Sequence, residues 1–322
     1  MDTTLPLPFL ASASLENGPS GPSEGLTRTQ LSYLGSVHLT ANSQNIDTLF
    51  QFLQGHVEIE AYVDVTKIQS VDDVISILDA GARKVFVAIS QLDGLKAYAD
   101  RVLPVFSAQD EAPSDNLISN GVLFNAENAE SLSSPFLQNL KARKVSPVFL
   151  VSPTTDTASA IKAAIELSAI PIIPSRLLTV DKAEKGGISV PAVIGASWSS
   201  DRPDGLIPTV VTDERGIALG LVYSSEESLA ESFKTGTGVY QSRKRGLWYK
   251  GATSGDTQEL VRISLDCDQD CLKFVVRQKG RGMFTEFVLC VTNLFTRFLP
   301  PASIDVFWRA SRSFKVRKDA GF

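Results

Sequence analysis

From about Leu31 to Thr179 the chain repeats one cycle, a short β-rich run followed by a helical pattern, and this repetition limits the possible folds more than any other feature. V-E-I-E-A-Y-V-D-V (Val57 to Val65) reads as a strand. The following S-V-D-D-V-I-S-I-L-D-A-G-A has Val71, Val74, Ile75 and Leu78 at the i, i+3, i+4, i+7 spacing that lines one face of a helix. Ser70 is suited to cap that helix and Gly81 to end it. K-V-F-V-A-I (Lys84 to Ile89) is the next strand, before a segment rich in Leu and Ala. N-G-V-L-F (Asn120 to Phe124) precedes a helix running to about Ala142. P-V-F-L-V (Pro147 to Val151) precedes A-S-A-I-K-A-A-I-E-L, and P-I-I-P closes the series. Alternation of this length implies parallel strands joined by right-handed helical crossovers. The expected fold for residues 31–195 is an α/β domain with a parallel sheet, either part of a (β/α) barrel or an open doubly wound sheet.

Composition shifts to Gly, Ser and Pro around Lys182 to Asp204, which marks a boundary. Beyond it the chain is β-rich. L-I-P-T-V-V-T-D and G-I-A-L-G-L-V-Y flank a turn at D-E-R-G, and S-S-E-E-S-L-A-E-S-F reads as a short helix. Its expected cap is Ser224 or Ser225, with a Glu as capping-box partner. Further strands follow, so residues 200–282 form a β-rich α+β unit. Residues 1–30 read as a flexible leader because of their Ser, Gly and Pro content. They show neither a basic segment nor a long apolar core, so no signal peptide is expected. The apolar run from Phe287 to Phe295 is too short to span a bilayer. A net charge of −5 gives no reason to expect nucleic acid or an anionic membrane as partner. The three cysteines all lie late in the chain and form no disulfide framework, which fits a reducing, cytoplasmic setting.

The α/β half shows neither a G-x-G-x-x-G nor a Walker loop. Its two histidines, His38 and His56, are the only ones in the chain. Each is isolated from acid or Cys clusters, which favours a structural role. Asp64, at the C-terminal end of an expected strand, stands where barrel enzymes place acids. The second half is richer. In V-R-I-S-L-D-C-D-Q-D, strand alternation would set Asp266, Asp268 and Asp270 on one face and Cys267 on the other. Clustered carboxylates suit Mg²⁺ and a thiolate suits Zn²⁺, whereas the plain alternative is an acidic strand end with a buried Cys.

Four motifs occur in order: D-G-L-I-P-T-V-V from Asp204, Y-Q-S-R from Tyr240, L-W-Y-K-G-A-T-S-G-D from Leu247, and D-C-D-Q-D from Asp266. In order and spacing this set resembles the phosphoribosyl-AMP cyclohydrolases of histidine biosynthesis, over about Pro203 to Gly282. With the preceding α/β region the chain resembles the front of the fungal multifunctional histidine-biosynthesis proteins. The resemblance implies hydrolytic opening of the adenine ring of phosphoribosyl-AMP, between N1 and C6, by a zinc-activated water. It implies Cys267 as a zinc ligand and Asp266, Asp268 and Asp270 as magnesium ligands. Ser242, Arg243, Trp248, Lys250, Gly251, Thr253, Ser254 and Gly255 would shape the substrate pocket, in a homodimer that shares each zinc across its interface.

The chain departs from the family pattern after Gly282. The family continues C-H-x-x-x-x-x-C-F-G, supplying two zinc ligands and a proton-carrying His. This chain instead reads M-F-T-E-F-V-L-C-V-T-N-L-F, with no histidine after His56 and with Cys290 in an apolar setting. The segment reads as a retained intron followed by an exon out of frame. Gly282-Met283-Phe284 can be coded to contain GTATGT, a fungal 5′ splice site, Thr292-Asn293 to contain ACTAAC, and Arg297 as AGG closes the segment. Its excision shifts the frame so that Phe298 to Trp308 can read F-C-H-L-Q-A-S-T-C-F-G. On this reading residues 283–322 are an aberrant tail, its basic end has no selected role, and the polypeptide as written is expected to be inactive. The competing expectation is a non-catalytic α/β binding or scaffold protein with a degenerate cyclohydrolase domain.

Overall fold

A computed structural model describes residues 7–15, 25–111, 113–128, 130–151, 161, 164, 166–180 and 187–279. Eight strands pair in chain order, all parallel: β1 (Leu10–Ala13), β2 (Ser36–Thr40), β3 (Glu60–Asp64), β4 (Lys84–Val87), β5 (Val102–Ser107), β6 (Val122–Asn125), β7 (Val148–Val151) and β8 (Ile170–Pro174). β8 also pairs with β1, Leu10 opposite Ile172, so the sheet is a closed barrel and not an open doubly wound one. The flexible-leader expectation for residues 1–30 fails at Leu10–Ala13, which forms a barrel strand with Leu10 and Ala11 fully buried. Its residues are buried or half-buried on both faces, so it shows no alternating pattern.

The crossovers include α1 (Arg28–Leu34), α2 (Ile46–Gly55), α3 (Val71–Asp79), α4 (Asp115–Ile118) and α5 (Pro135–Ala142). Ser70 caps α3 as expected, its hydroxyl accepting the Asp73 N–H, and α3 buries Val74, Ile77 and Leu78. The Leu/Ala segment after β4 is a 3₁₀ helix, Ile89–Tyr98. Inside the barrel, Leu10, Tyr62, Phe86, Leu103, Leu123, Phe149 and Ile172 form an apolar plug, with Phe86 and Phe149 edge to face at 5.1 Å. The plug fills the lower interior, as packed side chains do in eight-stranded barrels. Inward positions nearer the strands' C-terminal ends are polar on several strands: Ser12, His38 and Thr40, Asp64 and Asn125.

A two-stranded parallel ribbon, β9 (Leu178–Thr179) with β10 (Ile188–Ser189), and α6 (Val190–Ser197) lead out of the barrel. The second unit is a four-stranded sheet in the order β12-β11-β16-β15, with β11 (Ile207–Thr212), β12 (Ala218–Ser224), β15 (Gln258–Leu265) and β16 (Leu272–Gln278). α7 (Glu226–Thr235) and a separate hairpin of β13 (Val239–Ser242) and β14 (Gly246–Tyr249) complete it. Ser225 caps α7, but its capping-box partner is Ser228 and not a Glu. The barrel and the sheet share one core: α1 packs against β15, and the Tyr33 and Phe233 rings sit 6.1 Å apart. The residue ending α7 is Gly236, where a Cβ would stand 2.6 Å from the Tyr33 hydroxyl, so its left-handed turn also makes room for α1. Among the described residues no helix is long and apolar enough to cross a membrane. The expected aberrant tail, residues 283–322, lies outside the described residues.

Candidate functional site

The stretch from Asp266 to Cys271 is the turn joining β15 to β16, not a continuation of the strand. β15 ends at Leu265, Asp266 N–H donates to the Cys271 carbonyl at 3.0 Å, and Gln269 takes a positive φ of 63°. Alternation therefore does not sort these side chains. Turn curvature does. Carboxylate oxygens of Asp266, Asp268 and Asp270 all come within 4.8 Å of one another, and all three residues are exposed. Asp266 also builds the turn, because its Oδ1 accepts the N–H groups of Asp270 at 3.0 Å and Cys271 at 3.1 Å. The crowding has an electrostatic signature. The Asp270 carboxyl is held above the ordinary range, first by its hydrogen bond with Asp266 and then by the Asp268 charge.

Cys267 is exposed, with its sulfur 4.0 Å from an Asp268 oxygen. Cys271 is half-buried, its sulfur 3.5 Å from the Leu272 carbonyl, and desolvation pushes its thiol pKa up. Both histidines lie in the barrel, and Cys290 lies outside the described residues. The only cluster of three or more metal-binding groups among the described residues is the aspartate triad. Three clustered, exposed carboxylates fit a hard cation that keeps several waters. A zinc site needs at least three protein ligands, and the described residues of this turn offer two thiols, of which only Cys267 is exposed.

The expected pocket residues lie on the β13–β14 hairpin and the loop after it. Ser242 ends β13, and its hydroxyl accepts the Arg245 N–H at 3.3 Å. Arg243 stacks on the Tyr223 ring at 5.0 Å, while Arg202 stacks on the same ring at 4.6 Å. Trp248 lies against Tyr240, and the Lys250 ammonium stands 5.8 Å from the Trp248 ring centre. Gly251 has φ 82°, and a Cβ there would fall 2.4 Å from the Asp256 carbonyl carbon, so the backbone closes on itself. Gly255 N–H donates to the Gly251 carbonyl at 2.8 Å, and Thr253 and Ser254 occupy the exposed loop this bond closes.

One chain brings these residues together in two groups, not one. The Gly251–Gly255 loop enters β15 at Gln258, whereas the aspartate turn leaves it after Leu265, at the other end of an eight-residue strand. At about 3.3 Å per residue the two ends are separated by roughly 25 Å. The Arg243 end of the hairpin belongs with the aspartates: Arg202 lies next to Asp201, whose charge reaches Asp270. Arg202 and Tyr223 carry no family motif; a half-buried Tyr between two Arg is the signal that marks them.

The phosphoribosyl-AMP cyclohydrolase family model matches residues 220–292, a range that continues past Gly282 and includes Cys290. The histidine biosynthesis trifunctional protein of Neurospora crassa is 51% identical over 284 residues, covering 87% of this chain and 33% of that protein. The histidine biosynthesis bifunctional protein his7 of Schizosaccharomyces pombe is 37% identical over 289 residues, covering 86% of this chain and 68% of that protein. The phosphoribosyl-AMP cyclohydrolase of Thioalkalivibrio sulfidiphilus matches a shorter segment, 46% identical over 80 residues, 24% of this chain and 61% of that protein. The chain thus spans about a third of the Neurospora relative and two thirds of the Schizosaccharomyces one. Similarity over both units, joined to the hairpin loop and aspartate turn, assigns the chain to the fungal multifunctional histidine-biosynthesis proteins, with residues 220–292 matching their phosphoribosyl-AMP cyclohydrolase domain.

Proposed function

We propose that the second unit acts on phosphoribosyl-AMP in histidine biosynthesis, opening the adenine six-membered ring by hydrolysis between N1 and C6, at a site shared by two copies of the chain. The separation of the Gly251–Gly255 loop from the aspartate turn by the length of β15 carries this reading. A single adenine nucleotide does not bridge roughly 25 Å, but a two-fold axis can set one copy's loop beside the other's turn. Arg243 and Lys250 would hold phosphate by charge-assisted contacts. Trp248 offers an aromatic face, and the tight turn at Gly251 lets backbone N–H groups approach the substrate closely.

Asp266, Asp268 and Asp270 would hold Mg²⁺, which when bound supplies positive charge near anionic oxygens of the substrate. Cys267 is the one zinc ligand proposed, since the neighbouring Cys271 thiol is half-buried and held protonated by desolvation. The proposal for this polypeptide is accordingly weak zinc binding and little turnover, in a cytoplasmic homodimer. Sedimentation equilibrium with phosphoribosyl-AMP turnover and zinc analysis tests it. A dimer is expected, with turnover lower than that of the Thioalkalivibrio enzyme by about 10²-fold or more, the scale of a missing acid–base group. A monomer that binds phosphoribosyl-AMP overturns the shared site, and rapid turnover with one zinc per chain overturns the inactivity. Sequencing the transcript across Gly282 tests the intron: a message lacking the M-F-T-E-F segment supports it, and an uninterrupted match to the genome refutes it.

A further inference from the structure

The barrel carries a cavity of its own, of about 260 Å³, over the apolar plug. Its polar wall comes from Ser12 on β1, His38 and Thr40 on β2, Asp64 and Thr66 at the end of β3, and Asn125 at the end of β6. Aliphatic side chains of β5 to β8 supply the rest. All six polar residues sit at or just past the C-terminal half of their strands, the rim where parallel barrels bind ligands. The closed barrel thus brings His38 and Asp64, isolated in the sequence, to one cavity, and so supplies the paired groups that no motif in this half announces.

His38 is the informative group. It is 4% exposed, its Nδ1 lies 3.0 Å from the Ser12 hydroxyl, and its Nε2 has no hydrogen-bond partner. A buried polar atom left unpaired costs about 1–3 kcal/mol, and this one belongs to a cavity wall. Desolvation keeps the ring neutral at physiological pH, so one nitrogen donates and the other accepts. The Ser12 hydroxyl can play either part opposite Nδ1, which leaves Nε2 able to meet a hydroxyl in either sense. Asp64 is already fixed through Oδ1, which accepts both the Thr66 N–H at 2.9 Å and the Thr66 hydroxyl at 2.7 Å. It is the only formally charged side chain on the wall among the described residues, with no Lys or Arg to receive a phosphate or carboxylate. Hydroxyl, amide, imidazole and one carboxylate together match a ligand rich in hydroxyls and free of negative charge.

We propose that the barrel mouth is a second binding site, for a small neutral polyhydroxylated molecule of the size of a free sugar, anchored by His38 Nε2 and Asp64. The site is independent of the cyclohydrolase residues, and its test does not depend on turnover. The full chain, labelled with ¹³C and ¹⁵N at histidine, has two imidazoles and so two assignable sets of ring signals. Titration with D-ribose should shift the His38 signals saturably, with a dissociation constant of about 1 mM, and leave His56 unmoved. Asp64→Asn, checked by circular dichroism for an unchanged fold, should weaken the shift about tenfold, the effect expected from losing a charge-assisted hydrogen bond. D-Ribose 5-phosphate should bind more weakly than D-ribose. The proposal is overturned by the absence of saturation at about 100 mM, by equal shifts at both histidines, or by tighter binding of the phosphorylated sugar.

Discussion

Acid should destabilise this protein, and His38 is one identifiable source of that loss. His38 is neutral in the folded barrel because burial outweighs the attraction of Asp64, and its pKa falls from 6.5 to about 4. Above pH 6.5 the ring is neutral in both folded and unfolded chains and contributes no pH dependence. Between 6.5 and about 4 the unfolded chain takes up a proton that the folded chain refuses, so stability declines as pH falls, and below about 4 the loss stops growing. A shift of about 2.5 units corresponds to a total loss of about 3 kcal/mol, of which about 2.5 is present at pH 4.5. His38→Gln keeps a polar group and removes the titration. Urea unfolding of both chains, followed by circular dichroism near pH 7.5 and 4.5, should show the stability difference moving in favour of the variant by about 2–3 kcal/mol on acidification. In parallel, NMR should place the His38 titration well below that of a solvated imidazole. A pH-independent difference between the chains, or a His38 titration near 6.5, would refute the reasoning.

Gly251→Ala should destabilise the second unit by at least about 2 kcal/mol, since its left-handed φ and the contact with Asp256 both oppose a Cβ. Loss of cooperative chemical unfolding, read by Trp fluorescence, checks it. In the aspartate turn, Asp266→Ala should cost about 1–2 kcal/mol because two N–H groups lose their acceptor. Asp268→Asn should leave stability within about 0.5 kcal/mol while lowering Mg²⁺ affinity about tenfold. Thermal melts and Mg²⁺ calorimetry separate the two roles, and equal stability losses in both variants would contradict the division.

Local signals were legible wherever one surface decided the outcome. Ser70 caps α3 because the side chain that accepts the Asp73 N–H is adjacent in sequence, whereas apolar spacing located the buried face only in part: Val74 and Leu78 are buried, Val71 and Ile75 half-buried, and Ile77 joins the core instead. Closure of the barrel was not legible, because it depends on Leu10 meeting Ile172 about 160 residues on, and L-A-S-A offers neither alternation nor β-branched residues. D-C-D-Q-D misled differently. It alternates like a strand, yet it turns around Gln269 without a Gly or Pro to mark the bend. The aspartates were identified by their motif, but their convergence comes from a turn. Arg202, stacked on Tyr223 beside Arg243, and the cavity uniting His38 with Asp64 arise only once distant strands are assembled.

The pairing of β1 with β8 has a temporal consequence. A strand completed at Ala13 gains its second neighbour only when Ile170–Pro174 has been synthesised, so the first strand emerges from the ribosome long before the barrel can close. Closing so long a loop costs entropy before its contacts compensate, and pairing between such remote segments slows folding. Until then β1 presents an unpaired edge, and the aggregation hazard of a growing chain is concentrated there. The second unit, packed through α1 and β15 onto the same core, follows β8 in synthesis order.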